Sequence, residues 1–169
     1  HLTCRGHRWN EQVQKDDDYY KVASNKAARN YLRKWGIWIE NDSYQYPIIT
    51  PKYNVEFRVF NCRPDLLTLL EPWCDSIYVD LYESMVDDYI KKEQPNTLIS
   101  LSDKINKTFD SDIVVRIDGN TLTQDDFKLI QQLSKIIKDS GELGKFNIGN
   151  LELTINVMKE YQHTLINVT

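Results

Sequence analysis

Apolar residues recur along this chain at two spacings, and the switch between them marks out strands and helices. The pattern is densest between Asp112 and Gly141. Ile113, Val114, Val115 and Ile117 form a β-branched run interrupted by Arg116, which predicts a strand covered on both faces. Asp118-Gly119-Asn120 then predicts a turn, since Gly and Asn tolerate positive φ. Thr123 and Asp126 have the spacing of a capping box, in which each residue satisfies a free backbone N–H of the other. Leu129, Ile130, Leu133, Ile136 and Ile137 make one stripe at helical spacing, with Lys128, Gln131, Gln132, Lys135 and Lys138 opposite. Ser140-Gly141 predicts the stop. Strand, turn and helix in this order are half of a βαβ unit.

The same reading extends both ways. Residues 21–36 predict a helix with Ala28, Tyr31, Leu32 and Trp35 on one face, Lys26, Arg29 and Arg33 on the other, and Gly36 as terminator. Ile37-Trp38-Ile39 reads as a short strand, and 41–54, with two prolines and three tyrosines, as a long loop. Val55–Val59 alternates as a strand should. Pro64 opens a Leu-rich helix that Pro72 ends. Ile77-Tyr78-Val79 predicts a strand closing at Asp80, and Leu81–Lys92 a helix burying Met85, Val86, Tyr89 and Ile90. Leu98–Phe109 reads as a short helix with Leu98, Leu101 and Ile105 inward. Gly144 and Gly149-Asn150 mark a turn into Leu151–Val157, whose strict alternation predicts an antiparallel or edge strand. His163–Val168 reads as a last strand pairing back on it.

Strand–helix alternation predicts an α/β fold: layered β–α units around a mixed, largely parallel sheet, with antiparallel C-terminal strands. Residues 1–20 are poorly patterned, and 21–169 read as a single α/β domain. A length of 169 residues suits one core. A formal net charge of −4 argues against a protein coated in nucleic acid but leaves room for a local basic patch. No apolar run is long enough to span a membrane. With no initiator Met and no signal-peptide pattern, His1 reads as a processed or internal start. Cys4, Cys62 and Cys74 are too sparse for a disulfide framework, so an intracellular protein, cytoplasmic or nuclear, is expected. The sequons at Asn41, Asn106 and Asn167 leave secretion open.

Candidate chemistry is thin. No Gly-rich phosphate loop, G-x-S-x-G elbow or H-E-x-x-H helix occurs, and no cofactor is implied. His1, Cys4 and His7 have zinc-ligand chemistry without paired C-x-x-C blocks. Cys62, Asp80 and Asp118 fall at the carboxyl ends of predicted strands, where α/β sheets bind ligands. Asp80 and Asp118 together would hold a divalent ion or act as acid and base, although Asp at a strand end is also ordinary turn chemistry. Lys26, Arg29, Arg33 and Lys34 form a cationic stripe suited to phosphates, although basic residues near a helix C-terminus are more often a solvated face. Trp35, Trp38, Tyr44, Tyr46 and Tyr53 have the chemistry of interface anchors. The expectation is a non-enzymatic protein-interaction module using the aromatic loop and basic helix. Phosphate or nucleic-acid binding through that helix, or a metal-dependent enzyme built on the strand-end aspartates, are the alternatives.

Overall fold

The alternation Val-Glu-Phe-Arg-Val-Phe makes strand β1, Val55–Phe60. Strands β2 (Ser76–Val79) and β3 (Ile113–Asp118) lie parallel to it on either side. β4 (Gly144–Ile148) and β5 (Leu151–Ile155) form a hairpin, with β5 antiparallel to β3. The sheet order is β2-β1-β3-β5-β4. The computed structural model describes residues 18–48, 51–107 and 110–159.

Helix α1 (Asp18–Trp35) precedes the sheet. Parallel neighbours need crossover connections. Between β1 and β2 these are α2 (Pro64–Leu70) and a 3-10 turn, Glu71–Trp73. Between β2 and β3 they are α3 (Glu83–Glu93), a 3-10 turn and the single turn α4 (Leu101–Lys104). α5 (Gln124–Gln131) and α6 (Leu133–Ser140) link β3 to the hairpin. No described helix is long and apolar enough to cross a membrane.

Pairing register aligns the inward side chains. Phe57 lies beside Ile77 and Val115, and Val115 beside Leu153. All four are fully or almost fully buried, and Leu67, Leu70, Val86, Leu101, Ile130 and Ile137 close over them. Each such side chain contributes about 1.5–3 kcal/mol relative to exposure. Where two crossovers begin, β1 and β3 draw close together. A Cβ on Gly119 would lie 2.4 Å from the Asn61 carbonyl oxygen, so only glycine fits between the two loops.

The α/β architecture and the mixed sheet with its antiparallel C-terminal strands agree with the sequence pattern, as do the Thr123–Asp126 capping box and Pro64 in the first turn of α2. Several local expectations change. β3 is covered on one face, with Val114 half-buried and Arg116 exposed on the other. Tyr78 points outward because its neighbour Ile77 takes the core position. Ile37–Ile39 joins no strand, and the helix expected over Leu98–Phe109 contracts to α4. Beyond α4, Ile105 bridges to Ile77, while Leu98 stands in solvent. Met85 is exposed too, leaving Val86 and Tyr89 to anchor α3. The helix after Thr123 kinks at Gln132 (φ −107°, ψ 13°) without losing its apolar stripe. Gly144, expected in a turn, begins β4. The expected strand at His163–Val168 lies outside the described residues.

Candidate interaction surface

Gly36 ends α1 with φ 74°, a left-handed conformation that favours glycine, and its N–H donates to the Leu32 carbonyl at 2.6 Å. The chain turns away there, and Trp38 stacks on Tyr31 of the helix, ring centroids 5.2 Å apart and planes 11° from parallel. This contact takes the place of the strand that the sequence suggested. From Glu40 to Ile48 the backbone closes on itself. Asp42 N–H donates to Tyr46 O and Ile48 N–H to Glu40 O, each at 2.8 Å, and Asn41 bridges Pro47. Asp42 Oδ1 accepts from the N–H groups of both Tyr44 and Tyr46 at 2.9 Å, an Asx-type anchor for the tip.

The tied backbone projects its aromatic rings into water. Tyr44 is 80% exposed and Tyr46 69%. Trp35 and Trp38 are each about half exposed, and Ile39 and Ile48 continue the patch. Lys34 Nζ lies 4.8 Å from the Trp35 ring. A cleft of about 170 Å³ separates this segment from α6, with Ile37, Trp38 and Ile48 on one wall and Gln131, Lys135 and Lys138 on the other. Tyr53, grouped with these aromatics by sequence, does not belong with them. It is 3% exposed, and its hydroxyl accepts from the Lys159 N–H at 3.2 Å. Proximity in sequence to an aromatic loop carried no information about which side of the chain it would face.

The basic stripe divides in the same way. Arg33 is buried, with Nη2 2.7 Å from both Glu71 Oε2 and Glu93 Oε1. Arg29 donates from Nε to Glu93 at 2.9 Å and from Nη1 to the Thr68 carbonyl at 2.6 Å. Lys104 Nζ reaches Glu71 Oε1 at 2.8 Å, and the Tyr89 hydroxyl donates to Glu71 Oε2 at 2.9 Å. Burial raises the Glu71 pKa, but the charge of Lys104 and the bonds and charge of Arg33 outweigh it and hold the carboxyl down at about 2. Burial acts in the same direction on the Tyr89 hydroxyl as the adjacent Glu71 charge, and its pKa is pushed far up. This is a satisfied polar knot tying α1 to α3, α4 and the 3-10 turn. Arg29 and Arg33 are therefore not offered to phosphates. Lys26 and Lys34 stay exposed, beside a cleft of about 470 Å³ shared with Asn96, Leu98 and Ile99. Glu71 was missed by sequence reasoning. Its signal was there: one carboxylate in an otherwise apolar Leu-Leu-Glu-Pro-Trp segment.

Asp80 and Asp118 do come together around one loop. Asp80 accepts from the N–H groups of Asn61 (2.7 Å) and Cys62 (2.8 Å). Asp118 Oδ1 accepts from Asn120 N–H (2.9 Å) and Asn61 Nδ2 (3.0 Å). The Asn120 N–H and then the Asn61 amide lower the Asp118 pKa, which keeps it ionised. Burial, then the Asp80 and Asp65 charges, push the Cys62 thiol up to about 11, so it is a neutral thiol at physiological pH. Cys74 is buried, and both cysteines are free. Among the described residues no three His, Cys, Asp or Glu side chains are grouped to hold a metal. His1, Cys4, His7 and His163 lie outside those residues. The two aspartates shape a turn, the bland alternative for each of them.

No family model matches the chain, and no match to it is found among curated proteins or solved structures.

Proposed function

We propose that this chain is a protein-recognition module whose contact surface is built on Trp35, Trp38, Tyr44 and Tyr46. The observation that carries the reading is the pairing of two highly exposed tyrosines with a backbone that already satisfies its own hydrogen bonds. Binding through such a loop orders little, so less of the contact energy is lost to entropy. Amphipathic rings with few rotatable bonds are the usual anchors of protein interfaces.

Retention of a partner from the native source on the immobilised protein tests this. The partner should survive nuclease treatment and washing at raised salt. It should fall more than tenfold with Tyr44→Ser/Tyr46→Ser, since truncating an anchor ring costs ~2 kcal/mol or more. Equal retention by the variant, or loss on nuclease treatment, overturns the reading. The phosphate alternative on α1 has lost Arg29 and Arg33 to the knot and keeps Lys26 and Lys34.

A further inference from the structure

The cleft between α1 and residues 95–99 is one-sided in its chemistry. It measures about 470 Å³, with Lys26, Asn30 and Lys34 on one wall and Pro95, Leu98 and Ile99 on the other, and no described carboxylate lines it. Glu93, just before the turn, is held by Arg29 and Arg33 in the knot. Lys26 makes no ion pair among the described residues, and the Lys34 ammonium rests only on the Trp35 ring, 4.8 Å from its centroid. The apolar side of the groove is wet. Leu98 is fully exposed and Ile99 is exposed beside it, as is Val22, one turn before Lys26 on the same stripe of α1. The walls are nevertheless fixed. Asn30 Nδ2 donates to the Asn96 carbonyl at 2.8 Å, which ties α1 to the turn. The Gln94 amide holds the turn from within: Nε2 donates to Ile99 O and Oε1 accepts from Leu101 N–H, each at 2.9 Å. The backbone wraps that amide, and the Leu98 side chain is left outside it.

We propose that this groove binds an acidic amphipathic helix of another protein. Lys26 and Lys34 stand on one stripe of α1, about 12 Å apart along its axis at roughly 1.5 Å per residue. Carboxylates about two turns apart on the incoming helix meet them, and the apolar side chains between those carboxylates cover Leu98 and Ile99. The charge complementarity is direct, because neither ammonium is neutralised by a carboxylate of the described chain. A nucleic acid gains less here. Two lysines this far apart make a thin phosphate contact, and the apolar wall offers no ring on which a base can stack. The net charge of −4 gives an acidic partner no long-range attraction, so recognition depends on contact at the groove. The groove shares no lining residue with the cleft beside the aromatic loop, and the two proposals stand or fall independently.

Amide-resolved NMR titration of the full chain tests it. The probe is an end-capped peptide of two Glu-Leu-Ala-Gln-Leu-Ala-Ala repeats, which sets its glutamates two turns apart along a leucine stripe. Shifts should appear at Asn96, Thr97, Leu98 and Ile99 and on the facing stripe of α1, while the β1 and β3 amides stay in place. Leu98→Ser should weaken binding by about fivefold or more, because the peptide then has less apolar surface to cover. Lys26→Glu/Lys34→Glu should weaken it by about as much, since attraction becomes repulsion. Lys26→Arg/Lys34→Arg should keep it, and so should Tyr44→Ser/Tyr46→Ser. The altered side chains are exposed, and unaltered thermal unfolding would confirm intact folds. Five results overturn the proposal: no shifts in large excess of peptide, shifts confined to the aromatic loop, equal binding by Leu98→Ser, equal binding by the charge-reversed variant, or tighter binding of a single-stranded oligonucleotide. The last would make Lys26 and Lys34 phosphate contacts.

Discussion

Two regions joined by α1 depart from the ordinary sorting of side chains, and they depart in opposite directions. Around Glu71, charged groups are taken out of water: three cations, Arg29, Arg33 and Lys104, converge on the Glu71 and Glu93 carboxylates. At 35–48, aromatic groups are left in water on a backbone that is closed and hydrogen-bonded. Buried polar groups and exposed apolar ones are both informative exceptions, but they mean different things. The knot finds all its partners within the chain, so it is explained by the fold. The loop has tied down its backbone and left the Tyr44 and Tyr46 rings in water, the feature on which the proposed contact surface rests.

The sharpest way to break that contrast is to remove the centre of the knot. Glu71→Ala leaves Lys104 buried without its carboxylate and Arg33 with Glu93 alone, and stranding a buried charge in this way costs about 3–5 kcal/mol. Urea unfolding of wild type and variant measures it. A loss below about 1 kcal/mol would mean that the cations escape to water, and the knot would be no more structural than the loop.

Acid should dissolve the knot without a mutation. The Glu71 carboxyl sits at about 2 in the folded protein, below the roughly 4.3 of an unfolded glutamate. The unfolded chain therefore takes up the proton first. The stabilisation is whole above about pH 5 and drains away as pH falls toward 2, on the order of 3 kcal/mol in all. Asp126 falls in the same direction: burial raises its pKa, but the backbone and side-chain donors of Asn150, then those of Thr123, outweigh that. Unfolding free energies should therefore be nearly equal at pH 7 and 5 and decline by pH 3, and decline less in Glu71→Gln. A profile that is flat in wild type, or equally steep in the variant, contradicts this.

How much of this was legible depends on the distance over which each cause acts. Strands β1, β2, β3 and β5, the capping box and the stop at Gly141 are written in residues within a turn or two of one another, and the structure has them. The uncovered face of β3 was not, because a run such as Ile-Val-Val-Arg-Ile looks alike whether one face is covered or two. Only Arg116 hinted at the answer. The helical wheel put Arg29 and Arg33 together correctly, but it could not show Glu71 and Glu93 opposite them, 38 to 64 residues away in sequence. Tyr53 and Tyr46 differ by what packs above them: Tyr53 meets Lys159, over a hundred residues on. The aromatic loop was legible because its closure depends on Asp42 and residues within six positions of it.

That locality sets the smallest and most discriminating effect. Tyr44→Ser/Tyr46→Ser removes rings that touch water, so its stability should stay within about 0.5 kcal/mol of wild type. Asp42→Ala removes one acceptor from two N–H groups that solvent can reach, a cost of about 0.5–1 kcal/mol confined to the loop. Amide exchange at Tyr44 and Tyr46 should quicken in Asp42→Ala while the β1 and β3 amides keep their protection, since local opening and global unfolding are separable. Glu71→Ala should do the reverse, quickening exchange in the strands through loss of global stability. If Asp42→Ala speeds exchange in the strands as Glu71→Ala does, the loop is part of the structural frame, and its exposed rings lose their claim to be a contact surface built for another molecule.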